Sequence, residues 1–429
     1  MFKRQKITLG NGLRLLLDQR DSSQSVSICC MVGAGALNDP KGKEGMAHVL
    51  EHYLFREQDE EDSNYHFKNI EKYGGSINAF TGIDNTVFEI NVHKEDAIQS
   101  IDVLAKILCN FKKNADALEI EKEIIIAEMN DVGEDGKNSF QYIKFEMLGV
   151  KESLNHIIGK KSSIRKITLD DLFDFYNNYY CTDNMVISIV GCFDKDIVIK
   201  EIEDRFSMLK NTSVNPKIHK RDFLKEQGPK LKSYQNPYNG GILLCIPCFS
   251  LMTEKLECLE LMADIFSDGT HSKLFEHLRE KQGLIYSLSN TLTLSHNFGM
   301  MDIIISLRPN KLHKILKSLI EISAQLRNEH YSEEFLHQEK MRFIKKRFLM
   351  MENNAYAAYW YNERELILDK NFADDLQEWV SRVNNITLED IKFVRDHLFN
   401  SKNWFLICIG NLFFLHKWLL TGKIKKMLA

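Results

Sequence analysis

Apolar residues recur at two spacings along the chain, and each spacing predicts a different kind of element. Recurrence every three or four positions predicts amphipathic helices at 96–111, 116–132 and 311–329. Continuous or alternating apolar runs predict strands at 25–32, 86–93, 241–249 and 301–308. Because both kinds of element alternate in each half of the chain, we expect an α+β fold in which helices cover mostly antiparallel sheets.

One sequence pattern, which predicts a helix followed by a strand, occurs twice in the chain. Residues Ile167–Gly191 read ITLDDLFDFYNNYYCTDNMVISIVG, and Ile386–Gly410 read ITLEDIKFVRDHLFNSKNWFLICIG, so the two copies align without a gap. Each opens with a threonine suited to cap a helix, followed by acidic residues in the first turn. The copies lie about half a chain length apart, which predicts a duplicated domain. We expect two α/β-sandwich domains at 1–215 and 228–429, with a polar linker at 216–227.

Charge and cysteine usage narrow the classes of function. The 429 residues include 56 basic and 60 acidic side chains, a net charge of −4, so no nucleic-acid partner is expected. The nine cysteines are scattered, and most lie in strand-like apolar runs, which is typical of buried free thiols in a reducing compartment. Cys245 and Cys248 form a CxxC pair, but no second pair accompanies it. A core strand is therefore preferred there over a redox or zinc site.

No segment of the sequence is typical of a secretion signal or a membrane span. Residues 1–21 begin with basic residues, but their apolar run is short and fits a strand, a turn and a second strand better. We therefore expect a soluble cytoplasmic protein with no stable membrane insertion. The basic C-terminal stretch LFFLHKWLLTGKIKKMLA could lie on a membrane surface. The preferred interpretation is a second copy of the helix that follows Gly191.

Two histidines four positions apart are the strongest candidates for chemistry. They lie in GMAHVLEHYLF, and on a helix the imidazoles of His48 and His52 face the same side, a common start to a zinc site. Glu51 lies near that face, where it can act on the reacting water rather than bind the metal itself. The order HxxEH is the reverse of HExxH. A solvated helix surface is the alternative, although the apolar flanks indicate a half-buried face.

A catalytic zinc site needs a third protein ligand, and the acidic helix ALEIEKEIIIAEMND offers one. Glu121 and Glu128 are two helical turns apart and share a face, whereas Glu123 points elsewhere. Glu128 lies in an apolar run, where a metal would satisfy a carboxylate that is otherwise costly to bury. Glu121 would then support a ligand. The alternative for Glu128 is a surface acid paired with a lysine.

These motifs resemble, in the same order, those of the inverzincin zinc peptidases, which include pitrilysin, insulin-degrading enzyme and the mitochondrial processing peptidase. GMAHVLEHYLF is similar to the zinc helix of that family, and LEIEKEIIIAEMND is similar to its third-ligand helix. GGSINAFTGIDNTVF, Gly74–Phe88, resembles the strand between them, and SKLFEHLREKQGLIYSLS, Ser272–Ser289, resembles the second-half motif. The resemblance covers essentially the whole chain, and it implies a peptidase of two homologous domains.

The resemblance also implies a metal and its ligands. Zn²⁺ would be bound by His48, His52 and Glu128. Glu51 would be the general base that activates water, and Glu121 would be the supporting carboxylate.

The same resemblance implies substrate contacts. Asn78 and Ala79 would belong to an edge strand that pairs with the backbone of a peptide substrate. Arg279 and Tyr286 would contact the substrate and the oxyanion that develops during hydrolysis. Without the resemblance, these two would be interpreted as a surface ion pair and a core aromatic residue. His277, in the same motif, is interpreted as a helix-surface residue.

The second half has no HxxEH, and its counterpart of the acidic helix carries Lys345 and Lys346 near the position of Glu128. We expect it to be a metal-free copy that shapes the site.

In larger relatives two modules, each the size of this whole chain, enclose a chamber. The resemblance therefore implies that this chain forms a homodimer or a heterodimer with a related chain. Two rival functions are a catalytically silent subunit and a redox protein built on Cys245 and Cys248. The first rival usually lacks the zinc-helix residues that this chain retains.

Overall fold

The described part of the chain forms two compact units of helices packed on a sheet. A computed structural model describes residues 4–56, 65–131, 157–211, 230–234, 240–295, 299–367, 376–400 and 404–409. The first unit comprises Met1–Gly136, Lys151–His219 and Phe348–Asp375, and the second comprises Lys137–Val150, Lys220–Arg347 and Leu376–Ala429. The predicted linker 216–227 and the C-terminal stretch after residue 409 lie outside the described residues. The domain boundaries therefore stay a prediction.

A six-stranded sheet is the centre of the first unit. Its strands are β1 (Arg4–Thr8), β2 (Arg14–Gln19), β3 (Ser25–Val32), β4 (Ser76–Thr81), β5 (Thr86–His93) and β6 (Met185–Gly191). Their order across the sheet is β1-β2-β6-β3-β5-β4, which places β4 at one edge. β2 and β6 run parallel, and the other neighbouring strands run antiparallel.

Helices cover one face of this sheet around an apolar core. They are α1 (Met46–Phe55), α2 (Tyr65–Glu71), α3 (Ala97–Cys109), α4 (Ala115–Asp131), α5 (Lys161–Ile164), α6 (Leu169–Tyr179) and α7 (Lys195–Arg205). Because strand side chains alternate between faces, every second residue of a strand reaches the core. In β3 these are Val26, Ile28, Cys30 and Val32, all buried in one cluster with helix residues.

The second unit repeats this topology. Its strands are β7 (Lys230–Tyr234), β8 (Gly240–Cys248), β9 (Ile285–Leu294), β10 (Gly299–Leu307) and β11 (Phe405–Ile409). Its helices are α8 (Leu256–Ser267), α9 (Lys273–Phe275), α10 (Leu312–Asn328), α11 (Glu333–Met351, as far as Arg347), α13 (Leu376–Asn384) and α14 (Leu388–Leu398). The strand order β7-β11-β8-β10-β9 matches β2-β6-β3-β5-β4 in sequence and direction. The predicted α+β fold with two homologous, mostly antiparallel sheets is therefore confirmed.

The repeated helix–strand pattern of the sequence corresponds to equivalent elements in the two units. Its helices are α6 and α14, and its strands are β6 and β11. Thr168 and Thr387 cap these helices, and each exchanges hydrogen bonds with the acid three residues later, Asp171 or Asp390. No helix in the described residues combines the length and the hydropathy needed to cross a membrane.

The CxxC pair lies in β8, and both thiols are buried. Burial is the main cause that raises the pKa of Cys248 above its usual value. A buried, protonated thiol is a poor nucleophile. These observations favour core thiols over a redox site.

The opposite face of the first sheet is covered by α12 (Asn354–Ile367), a helix from late in the chain that packs on β3 and β6. Buried polar groups form this contact. Asn362 is fully buried, donates to the carbonyl oxygen of Cys29 at 2.8 Å and accepts from the hydroxyl of Ser188. Arg14 donates to the main-chain oxygen of Glu365 at 3.1 Å. Since buried polar groups are costly without partners, the sheet and α12 depend on each other.

Replacement of Asn362 by leucine tests this dependence. Asn362→Leu removes the amide that donates to the Cys29 carbonyl and leaves the buried Ser188 hydroxyl without its acceptor, which should lower the free energy of unfolding by about 1–3 kcal/mol. Asn354→Leu, at the partly exposed start of the same helix, should cost less because water can replace its bonds. Denaturant unfolding of the two variants measures the difference. Equal losses would contradict the role given to the buried network.

Candidate metal centre

The helix α1 carries both histidines, and its first turn is fixed by a buried carboxylate. Asp39 accepts hydrogen bonds from the backbone N–H groups of Gly45 at 2.6 Å and Ala47 at 2.9 Å. N–H groups in the first turn of a helix have no partner within the helix, so the carboxylate satisfies them. The start of α1 is thereby attached to the loop that follows β3.

Three possible metal ligands converge where α1 meets α4. The Oε2 atom of Glu128 lies 3.9 Å from His48 Nε2 and 3.7 Å from His52 Nε2. The two imidazoles are 4.6 Å apart between ring centres and meet edge to face. His48 is buried, whereas His52 and Glu128 are partly exposed. No lysine or arginine of the described residues pairs with Glu128, in contrast to the alternative of a surface ion pair.

A second carboxylate of α4 orients His52. Glu121 Oε2 lies 3.4 Å from His52 Nδ1, and its Oε1 accepts from Arg56 Nε at 2.9 Å. Glu121 is only 7% exposed, so this carboxylate depends on both partners. A carboxylate on the outer nitrogen of a ligand histidine fixes the ring and its tautomer.

The electrostatic environment leaves one histidine neutral and favours charge on the other. Burial, assisted by the charge of His52, lowers the pKa of His48 to about 3. Burial also acts to lower the pKa of His52, but the carboxylates of Glu121, Glu51 and Glu128 outweigh it and raise the pKa overall. A neutral His48 presents a lone pair, and the three carboxylates near His52 favour positive charge in this place.

Glu51 is held from the neighbouring strand. Its Oε2 accepts a hydrogen bond from the hydroxyl of Thr81, the last residue of β4, at 2.5 Å. Both side chains are buried. Burial raises the pKa of Glu51, and the Thr81 hydrogen bond offsets part of that rise. The carboxylate is therefore more basic than a solvated one.

The donor set fits a zinc ion. Two imidazole nitrogens and a carboxylate oxygen are the ligand types of catalytic zinc sites, which keep one position open. The three atoms lie within 4.8 Å of one another, and ligands at zinc bond lengths would stand about 3.4 Å apart, so small shifts suffice. His48 Nδ1 has no hydrogen-bond partner in the described residues, so packing rather than a carboxylate orients this ring.

The predicted substrate residues lie on exposed parts of both units. Asn78 and Ala79 lie in the edge strand β4, with Asn78 exposed. Arg279 lies in a π-helix, Glu276–Glu280, and donates to the main-chain oxygen of Tyr286 in β9. Tyr286 is 79% exposed, so it is not a core aromatic residue. Short π-helices occur frequently at functional sites.

Sequence reasoning left three residues around α1 without a role. They are Asp39, Arg56 and Thr81. Arg56 offers a weak signal, since it comes one helical turn after His52. Thr81 lies in the strand motif that carries the family resemblance. Asp39 gives no local signal, because its partners are backbone groups.

Family profiles match both halves of the chain. The profile described as insulinase, peptidase family M16, matches residues 14–157, and the peptidase M16 inactive domain matches residues 166–343. The chain belongs to the peptidase M16 family. An uncharacterized zinc protease of Bacillus subtilis is 24% identical over 402 residues, covering 92% of this chain and 95% of that protein. One of Rickettsia felis is 25% identical over 401 residues, covering 92% and 94%.

Solved structures share the fold of this M16 chain. A protease from Helicobacter pylori superposes with a TM-score of 0.83 at 18% identity, over 95% of this chain and all 100% of that chain. A chain of complex III2 from Candida albicans gives a TM-score of 0.79 at 14% identity, over 99% of each chain. At these identities the likeness concerns the fold alone.

In the second M16 unit, ion pairs occupy the place that corresponds to the possible metal ligands of the first unit. Lys43, just before α1, pairs with Asp171, and Lys255, just before α8, pairs with Asp390. These equivalent ion pairs show which positions of α1 and α8 correspond. His48 and His52 then correspond to Glu260 and Asp264. No other group of three possible metal ligands occurs in the described residues.

Cations from α11 pair with these acids. Lys346 contacts Asp264 at 2.6 Å, Arg342 binds the same carboxylate, and Arg347 lies 3.2 Å from Glu260. In the second unit, ion pairs thus join α8 and α11, the counterparts of α1 and α4.

Removal of one cation should destabilise the second unit. Asp264 is 4% exposed, so Lys346→Met leaves a buried carboxylate with less compensation and should lower the free energy of unfolding by about 1–3 kcal/mol. Lys345→Met is the matched control, because that neighbouring lysine is exposed. Thermal unfolding compares the two. A loss as large for Lys345→Met would refute the assignment.

Proposed function

We propose that this protein is a zinc-dependent endopeptidase that hydrolyses peptides. The observation that supports it most is the convergence of His48, His52 and Glu128, with the Glu51 carboxylate on the same helix. Membership of the M16 family and relatives named zinc proteases support the choice of metal and reaction.

Each residue of the site has a distinct part in this proposal. His48, His52 and Glu128 hold the ion, and Glu121 orients His52 through Nδ1. A zinc ion bound there supplies a Lewis acid that acidifies water and polarises a carbonyl group. Glu51 accepts the proton of the attacking water at its carboxylate and passes it to the leaving amine.

Extended peptides are the proposed substrates. Among the described strands β4 lies at the sheet edge, so its outward backbone groups can pair with an added strand. Asn78 and Ala79 would provide these groups near the middle of β4. Recognition through backbone hydrogen bonds accepts many sequences, which suits leader peptides or unfolded peptides better than folded proteins.

A second chain is proposed to complete the site. Arg279 and Tyr286 offer exposed guanidinium and phenol donors for the oxyanion, since both belong to the side-chain types that stabilise developing charge. A homodimer in which each chain supplies the zinc group to one site and this donor pair to the other is self-consistent. A heterodimer with a related chain is the alternative arrangement.

The competing function is a catalytically silent subunit that binds peptides within a complex. The observation that favours this alternative is the fold likeness to a chain of complex III2. The retained Glu51, with its pKa raised by burial, favours the enzyme. Activity measurements separate the two.

Glu51→Gln should abolish peptide hydrolysis without loss of zinc. The amide cannot accept the proton, so kcat should fall by about 10³-fold or more, whereas the ion and its three ligands are untouched. A quenched fluorescent peptide assay measures hydrolysis, and metal analysis measures zinc. His48→Ala is the control that should lose both. Full activity of Glu51→Gln, or wild-type protein without zinc, would refute the proposed function.

Complementation between two inactive variants tests the shared site. In a mixed dimer of Glu51→Gln and Tyr286→Phe chains, one site carries both changes and the other carries neither. The isolated mixed dimer should therefore show about half of wild-type activity if Tyr286 acts on the partner's zinc group, because one of its two sites is intact. Co-expression with two affinity tags isolates the mixed dimer. No recovery in that dimer would contradict the arrangement in which Tyr286 acts across the interface.

A further inference from the structure

We infer that Thr81 is a positioning residue that orients the Glu51 carboxylate, an inference that rests on the peptidase activity proposed above. The Thr81 hydroxyl donates to Glu51 Oε2 at 2.5 Å, and the two side chains are 6% and 7% exposed. Within the described residues no other group donates to this carboxylate. The bond therefore fixes which oxygen is engaged and leaves Oε1 to accept a proton.

The backbone around Thr81 is held in place by the loop that leads to α1. The N–H of Ala36 donates to Gly82 O at 3.1 Å, and the N–H of Leu37 donates to Ile83 O at 2.8 Å. An edge strand has only one neighbour and is prone to fraying, so these bonds secure its end. Thr81 thus has a fixed backbone from which to hold the carboxylate.

The same strand is the proposed site of peptide pairing. Asn78 and Ala79 precede Thr81 by three and two residues in β4. Successive side chains point to opposite faces, so the Thr81 hydroxyl faces α1, and no described strand pairs with the outer edge of β4. One strand therefore aligns the peptide and orients the base, which fixes the base relative to the bond to be cleaved. Loss of the hydroxyl should impair turnover more than binding.

A purely structural role predicts a different result, and Thr86 provides the matched control. Thr86 lies directly opposite Thr81 in the β4–β5 ladder and is fully buried. Its hydroxyl donates to Ala34 O at 2.7 Å, a backbone group. Thr86→Val therefore removes a comparable hydroxyl from the same strand pair without touching Glu51.

The test compares Thr81→Val, Thr81→Ser and Thr86→Val in the full chain. Thr81→Val should lower kcat roughly 10- to 100-fold, as expected for a lost hydrogen bond to a charged group. KM should stay within about threefold of wild type, since uniform binding is unaffected. Zinc content and zinc affinity, measured by chelator competition, should be unchanged. Thr81→Ser should recover most of kcat, and Thr86→Val should lower the melting temperature but not kcat per bound zinc.

Several results would overturn the inference. Wild-type kcat in Thr81→Val would overturn it alone and leave the proposed peptidase standing. Parallel loss of zinc and activity in Thr81→Val, or an equal loss of kcat in Thr86→Val, would show a structural role instead. An inactive wild-type protein would refute the peptidase proposal and this inference with it.

Discussion

Buried carboxylates must be paired, and this constraint fixes the helix on which the candidate site is built. Asp39, Glu51 and Glu121 are each at most 8% exposed, and each ties α1 to a different element. The first binds backbone N–H groups at the helix start, the second binds Thr81 in β4, and the third binds Arg56 at the helix end. Rotation or translation of α1 would break several of these bonds at about 1–3 kcal/mol each or more. Protein contacts therefore hold the imidazoles facing α4.

The two units show that one topology supports different chemistry at equivalent positions. In the first, imidazoles and Glu128 leave a group of donors that no cation of the described residues neutralises. In the second, Asp264 is paired with Arg342 and Lys346 on the facing helix. Both solutions hold two helices together across a polar contact. Only the first leaves ligand positions open to a metal.

Local sequence patterns predicted the helices and strands well. They did not predict contacts between residues that are far apart in the sequence. The strands 25–32 and 86–93 were predicted with the bounds of β3 and β5, because short apolar runs leave a clear signature in the sequence. Helical spacing likewise predicted that His48 and His52 share a face. The Thr81–Glu51 bond joins residues thirty positions apart through one hydroxyl, and no periodic pattern records such a contact. The capping of α1 by Asp39 escaped for the same reason.

The position of α12 is the feature of the fold that the repeat in the sequence predicts least. In β2, Leu15 and Leu17 reach the apolar core, while Arg14 and Asp18 point to the other face and are buried there. Buried charges in a strand indicate a polar partner, but nothing in the strand says which segment provides it. Here the partner is Asn354–Ile367, which follows most residues of the second unit in the sequence. The first sheet, and with it the candidate metal centre on its opposite side, therefore depends on a helix that the repeat would assign to the other half.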